Sequence, residues 1–190
     1  MGLIGGNIMK IFKRVLACFL VNSLFLILFT GCSGSQGQIS GDYNNISNLQ
    51  SVFQDKGFTK TPDYEALVNI SEKYAKKIAL NPSLYLTYNT PPMNNMIASW
   101  GYECNSFFSS QTRAGVAYLL TLDGSVSESN AFTYYKNKSQ MVYDNFQSLM
   151  ERNWLTGPTY YFVYTTHVTN PENVDESIWI TYEILYLEIE

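Results

Sequence analysis

Apolar residues recur along this chain with two different periods, and each period predicts one kind of element. Residues 62–80 carry apolar side chains every three or four positions, which is typical of an amphipathic helix. Residues 84–88 favour a short strand, whereas residues 93–112 fit a helix and a loop equally well. Residues 114–122 alternate with a period of two and therefore predict a strand.

A β-hairpin is the next predicted feature. Asp123 and Gly124 follow the strand directly, and this pair is typical of the tight turn between two antiparallel strands. The returning strand would hold Val126, Phe132 and Tyr134. A second helix is then predicted over residues 139–153, where apolar side chains again recur with helical spacing.

Two strands close the chain, over residues 159–169 and 177–189, and both are rich in tyrosine, isoleucine and valine. The last strand has apolar residues on both faces, which predicts a central position in the sheet. Helix, hairpin, helix and two strands together predict an α+β fold, in which helices pack on one face of a mostly antiparallel sheet.

The N-terminal segment has the pattern of an export signal. Three basic residues between positions 10 and 14 precede an apolar run over residues 15–29, and small residues follow just before Cys32. This pattern resembles the lipobox of bacterial lipoproteins, although Phe29 stands where that family usually has Leu, Val or Ile. The resemblance implies that Cys32 is acylated and becomes the first residue of the mature protein. The alternative is an uncleaved anchor helix.

These patterns divide the chain into three parts. We interpret residues 1–31 as the signal peptide, residues 32–58 as the lipidated cysteine with a flexible tether, and residues 59–190 as a single α+β domain. Because three of the 12 basic residues and none of the 16 acidic residues precede Cys32, the mature chain has a formal charge of 9 − 16 = −7. That charge disfavours nucleic acid as a partner. The lipobox resemblance implies the bacterial cell envelope, and Ser33 after the cysteine implies sorting to the outer membrane.

The segment after residue 115 resembles the C-terminal domain of TonB and TolA proteins. Residues 122–126 supply the Asp-Gly turn of that family, Trp154 its tryptophan, and residues 160–164 its later strand. The resemblance implies a module that offers a sheet edge to another envelope protein. The polar returning strand is the predicted edge, and its candidate partner-binding residues are Ser127, Ser129 and Asn130. The alternative is an unrelated α+β domain.

Cys104 is the candidate catalytic nucleophile, because a thiolate needs a nearby imidazole and a group that orients the imidazole. His167 is the only histidine, and Asn170 follows it closely. Residues 102–107, which read Tyr-Glu-Cys-Asn-Ser-Phe, resemble the Asp-Cys-Ser-Gly-Phe box of NlpC-type cell-wall cysteine amidases. That resemblance implies an enzyme acting on peptidoglycan, whereas an inert, buried Cys104 is the expectation from residue type alone.

No residues stand out as ligands for a cofactor or a metal. One histidine and one free thiol are too few for a closed zinc site, which needs four ligands, and no nucleotide-binding motif occurs. We therefore expect no cofactor and no metal. Our interpretation is a lipid-anchored envelope protein without catalysis, which binds another envelope protein or acts as a structural accessory. The alternatives are the NlpC-type amidase and an immunity or inhibitor lipoprotein.

Overall fold

A computed structural model describes residues 38–40, 49–108 and 112–188 of the chain. Five strands and four α-helices are present in these residues. In chain order they are β1 (Gln38–Ser40), α1 (Leu49–Gln54), β2 (Thr59–Lys60), α2 (Tyr64–Ala79), α3 (Pro91–Cys104), β3 (Thr112–Asp123), α4 (Glu128–Asn153), β4 (Thr159–Thr169) and β5 (Ser177–Glu188). Short 3₁₀ helices at Pro82–Tyr85 and Asn105–Phe107 flank α3.

The three long strands form the body of the sheet. β5 lies between β3 and β4 and pairs antiparallel with both along almost its whole length. The outer edge of β4 carries the two short strands: β1 antiparallel at one end and β2 parallel at the other. The central position that the apolar pattern predicted for the last strand is confirmed.

Apolar side chains fill a core on each face of the sheet. One core lies between the sheet and the helices α2 and α3, and includes Leu67, Trp100, Phe162, Ile180, Tyr182 and Ile184. The other lies between the sheet and the helices α1 and α4, and includes Phe53, Tyr135, Phe146, Tyr161, Trp179 and Leu185. The predicted α+β class is confirmed, but the prediction that helices pack on one face is wrong. Apolar side chains alternate to both sides of β5, so both sides need a covering layer.

The predicted hairpin is also wrong. One helix, α4, occupies residues 128–153, and the Ser127 side chain caps it by accepting a hydrogen bond from the Asn130 amide. The buried residues of α4 recur at positions 131, 135, 139, 142 and 146, a helical spacing that begins well before the predicted start at 139. Gly124 is required by close packing and not by a hairpin turn, because a Cβ there would lie 2.1 Å from Ser177 Oγ.

The folded body begins earlier than the predicted boundary at residue 59. Leu49 and Phe53 of α1 and Phe58 are buried in the core beneath α4, and β1 pairs with β4. The tether predicted over residues 32–58 is therefore wrong for residues 38–40 and 49–58, while Cys32 lies outside the described residues. The two elements left uncertain before β3 are now defined: residues 82–85 form a 3₁₀ helix, and α3 begins at Pro91.

Candidate binding surface at the sheet edge

Cys104 is the last residue of α3 and is completely buried in the core beneath α2 and α3. Burial, together with the negative charge of the neighbouring Glu103, raises the pKa of the Cys104 thiol to about 12. A nucleophilic cysteine needs the opposite environment, because only the thiolate attacks. Cys104 is therefore a packing residue that holds its proton at neutral pH.

His167 lies on β4 and belongs to the other side of the sheet. Its ring packs on Trp179, with centroids 4.5 Å apart, and Trp179 is part of the core beneath α4. His167 Nε2 lies 3.2 Å from the carbonyl oxygen of Gly124, and burial lowers the pKa of the imidazole. Because Cys104 packs on the opposite face, the sheet separates the two side chains. They cannot form the proposed nucleophile and base pair.

Asn170, the third member of the proposed catalytic set, organises the loop between β4 and β5. Its side-chain nitrogen Nδ2 donates to a Glu176 carboxylate oxygen (3.2 Å), and its Oδ1 accepts from the backbone amide of Glu172 (3.0 Å). These bonds occupy the side chain in a turn. The catalytic alternative built on Cys104, His167 and Asn170 is contradicted by this geometry.

The predicted partner-binding residues Ser127, Ser129 and Asn130 lie at the N-terminus of α4, not on a strand. Ser127 caps the helix, and the Ser129 carbonyl accepts a hydrogen bond from the Thr133 hydroxyl. The edge-strand argument for these residues is therefore wrong. The likeness to TonB and TolA domains required the same returning strand between turn and helix.

The open edge of the sheet is instead β3. Both backbone groups of Thr121 bond the hydroxyl of Tyr88: the amide donates to it at 3.0 Å, and the carbonyl accepts from it at 3.3 Å. In an antiparallel ladder the backbone groups of successive residues point to opposite sides. The backbone amides and carbonyls of Gly115, Ala117 and Leu119 therefore point away from β5, as those of Thr121 do. These groups make no hydrogen bond to another described residue. Leu119, however, is only 2% exposed, so the accessible part of this edge lies at Gly115 and Ala117.

The opposite edge of the sheet, on β4, is covered. The Tyr161 carbonyl accepts from the Thr61 amide at 2.9 Å, and the Tyr64 hydroxyl donates to the Val163 carbonyl at 2.8 Å. β1 pairs with the far end of the same edge. The two edges thus differ: among the described residues, the β3 edge is covered at residues 119–121, where Tyr85 and Tyr88 bond Thr121, and exposed at Gly115.

The composition of β3 makes its open edge unusual. Positions 114–122 contain no charged residue and no proline, although natural proteins commonly place such residues on exposed edges to prevent unwanted pairing. The only irregularity is a shift of register between Thr112 and Ala114. We refer to positions 115–117 of β3, where the Gly115 and Ala117 backbone groups point away from β5, as the open edge. Its sequence signal is the uncharged run, whereas the returning strand was the edge predicted from sequence.

A second exposed feature lies at the end of α4. Trp154 is 92% exposed and adopts a left-handed backbone conformation with φ of +54°. It borders a shallow surface groove lined by Gln147, Met150, Glu151, Trp154, Leu155 and Thr156. Exposed tryptophans are frequent at binding surfaces, and this one contributes almost no packing to the fold.

A carboxyl group is completely buried beneath α4. Glu183 of the central strand accepts a hydrogen bond from Ser139 Oγ, and its other oxygen has no partner among the described residues. The Tyr135 hydroxyl, one helical turn before Ser139, is equally buried and unpartnered among those residues. Burial raises the pKa of Glu183 to about 8, so this carboxyl is mostly neutral at pH 7. Within the described part of the chain, His, Cys, Asp and Glu side chains form no group that could hold a metal ion.

Comparison with protein-family models, with curated proteins and with solved structures finds no match for this chain. Among the described helices, none combines the length and the apolar character needed to cross a membrane.

Proposed function

We propose that this chain is a lipid-anchored protein of the bacterial cell envelope, which binds another protein by strand addition at the open edge of β3 and has no catalysis of its own. The observation that carries the proposal is the uncharged edge whose Gly115 and Ala117 backbone groups point away from β5 and make no hydrogen bond to another described residue. An extended segment that pairs with these residues would extend the sheet by one strand.

The backbone hydrogen bonds available at this edge give too little binding free energy by themselves, so tethering at a membrane would have to add to it. A paired segment would make roughly four backbone hydrogen bonds, each contributing about 0.5–1.5 kcal/mol net. Association itself costs at least about 4 kcal/mol, so the backbone contacts alone give weak binding. The remaining binding free energy would have to come from side-chain contacts on both faces of the added strand and from a high local concentration.

Lipidation supplies the local concentration in this proposal. The pattern at Cys32 resembles a lipobox, and acylation there would hold the domain at a membrane surface, outer-membrane sorting being implied by Ser33. A protein confined to a surface meets an anchored partner at a high effective concentration, so a weak edge contact becomes sufficient. Cys104 and His167, on opposite faces of the sheet, give no support to the amidase alternative.

The experiment uses a proline that blocks the edge without breaking the sheet. The Ala117 amide points away from β5, so Ala117→Pro removes no ladder bond and is tolerated as proline is on edge strands. The full-length chain is tagged, extracted from envelopes in mild detergent and used to capture bound proteins. Wild type should retain its partner and Ala117→Pro should lose it, whereas the control Ala117→Ser keeps the amide and should behave like wild type.

A further substitution checks the register on which this design depends. The Tyr118 amide points toward β5, so Tyr118→Pro removes a ladder bond and should destabilise the fold far more than Ala117→Pro does. Thermal unfolding monitored by circular dichroism distinguishes the two variants. Identical sets of captured proteins from wild type and an equally folded Ala117→Pro variant would remove the open edge as the binding site.

A further inference from the structure

We infer that the strand which adds to the open edge carries an aromatic residue opposite Gly115, so that its ring lies over this glycine and extends a row of stacked rings. The inference rests on the proposed function and names the chemistry of the partner strand. The row is formed by Tyr160 of β4 and Tyr186 of β5, which are paired in the sheet. Their ring centroids are 5.1 Å apart, with an angle of 18° between the ring planes.

Gly115 occupies the next position in this row. It pairs with Tyr186 in the ladder between β3 and β5, and it is the first residue of the open edge. Residues directly opposite one another in an antiparallel ladder share a face of the sheet, so position 115 belongs to the face that α2 and α3 cover. The row of rings therefore leads to a position on β3 that has no side chain.

The surface at Gly115 is accessible and adjoins aromatic rings. Gly115 is exposed, and the Tyr186 ring packs not only on Tyr160 but also on Phe108, with ring centroids 5.0 Å apart. Phe108 is itself only partly buried. A glycine inside a strand weakens the strand and often marks a place where another group approaches closely. An aromatic side chain on a neighbouring strand would cover the exposed glycine backbone, an arrangement known as aromatic rescue.

Packing within the fold constrains Gly115 less than it constrains Gly124. A Cβ at position 115 would lie 3.3 Å from Tyr186 Cβ, a tight contact that requires the neighbouring residue to yield by a few tenths of an ångström. At position 124 the nearest atom would lie at 2.1 Å, which leaves no room for a side chain. The fold alone therefore gives Gly115 a modest reason to lack a side chain, and space for a ring from the partner strand gives a second reason.

The test uses short synthetic peptides as the added strand. They alternate threonine and glutamine and differ only at the central position, which is phenylalanine, leucine or alanine. Binding to the purified full-length chain in detergent micelles is followed by NMR at the backbone amides of Gly115 and Ala117. The phenylalanine peptide should bind with a dissociation constant roughly tenfold lower than that of the alanine peptide, because ring contacts add to the same backbone hydrogen bonds. The leucine peptide, which is apolar but cannot stack, should bind more weakly than the phenylalanine peptide.

Variants of the chain test the position of the ring. Gly115→Val fills the surface where the ring would lie and should remove the preference for phenylalanine. The control Ala114→Val adds the same side chain on the other face of β3, because successive residues of a strand alternate between faces, and should keep the preference. Phe108→Leu removes a neighbouring ring without altering the edge backbone and should reduce the preference. This variant keeps the test decisive where circular dichroism shows that Gly115→Val does not fold.

The outcomes separate the inference from the proposed function. A leucine or alanine peptide that binds as tightly as the phenylalanine peptide would overturn the aromatic residue and leave strand addition intact. A preference for phenylalanine that persists in both a folded Gly115→Val and Phe108→Leu would overturn its position. The inference also fails where no peptide perturbs the amides of Gly115 and Ala117. The proposed function fails with it only where Ala117→Pro captures the same proteins as wild type.

Discussion

Replacing Glu183 by glutamine should change how the stability of the fold depends on pH. Glu183 is completely buried on the central strand, receives one hydrogen bond from Ser139, and has a second oxygen without a partner among the described residues. Burial raises the pKa of this carboxyl to about 8. Glutamine has nearly the same shape and stays neutral at every pH, so the variant isolates the effect of the proton.

The sign of the effect follows from where the proton is held. Below the ordinary pKa of 4.5, both the folded and the unfolded chain hold the proton, and Glu183 contributes its full stability. As the pH rises from 4.5 to about 8, the unfolded chain releases the proton first, and the free energy of unfolding falls by about 1.4 kcal/mol per pH unit. The loss accumulates to about 5 kcal/mol, and the contribution is constant above the folded-state pKa.

Urea unfolding of the full-length chain between pH 5 and about 8.5 measures this dependence. The difference in free energy between wild type and Glu183→Gln should shift steadily in favour of the variant as the pH rises. Contributions from other groups cancel in this difference, including that of His167, whose lowered pKa acts in the opposite direction below pH 6.5. Glu151→Gln, an exposed change on α4, serves as control and should leave the profile unchanged. A difference that stays constant across the range would refute the reasoning.

Four other substitutions test three separate features. Trp154→Gly should raise the free energy of unfolding by about 0.5–1 kcal/mol, because the exposed tryptophan holds a left-handed backbone that glycine adopts without strain; lower stability on urea titration would contradict this. Cys104 should resist alkylation in the folded chain, since burial and a pKa of about 12 keep it protonated, and Cys104→Ser and His167→Ala should retain partner capture; rapid labelling abolished by His167→Ala would show a reactive pair. Cys32→Ala should abolish fatty-acid labelling and membrane association, and unchanged fractionation would exclude lipidation there.

The elements with one strong period could be predicted from sequence, and those with two competing signals could not. α2, β3, β4 and β5 were all predicted within a few residues, and the apolar residues on both faces of β5 placed it correctly at the centre. That same observation also required helices on both faces of the sheet. This consequence was missed because α1, which helps cover the second face, has only six residues and lay within the predicted tether.

The hairpin was mispredicted because a local turn signal was preferred over a longer helical one. Asp123 and Gly124 do form a turn, in which Asp123 accepts hydrogen bonds from the Ser125 amide and hydroxyl. The chain then enters α4, and the buried Ala131 and Tyr135 continue the spacing of later residues in that helix. Tertiary packing against the sheet outweighs the weak helix propensity of Ser, Asn, Phe and Thr in its first turns.

The position of the open sheet edge could not be predicted from sequence. An exposed sheet edge was expected, but which strand forms it depends on the strand order, which local patterns do not encode. Tyr88 illustrates the same limit, because its hydroxyl bonds the backbone of Thr121 across 33 positions of sequence. The separation of Cys104 from His167 likewise depends on which face of the sheet each element covers.

Residue-resolved amide hydrogen exchange tests the open edge most directly. In the isolated full-length chain at high dilution, the amides of Gly115 and Ala117 should exchange rapidly, while those of Val116 and Tyr118 are protected by the ladder with β5. When the chain is assembled with its partner at the membrane, the two fast amides should become protected and the other two should change little. Protection of all four amides in the dilute chain, or continued rapid exchange at Gly115 and Ala117 in the assembled state, would contradict the account.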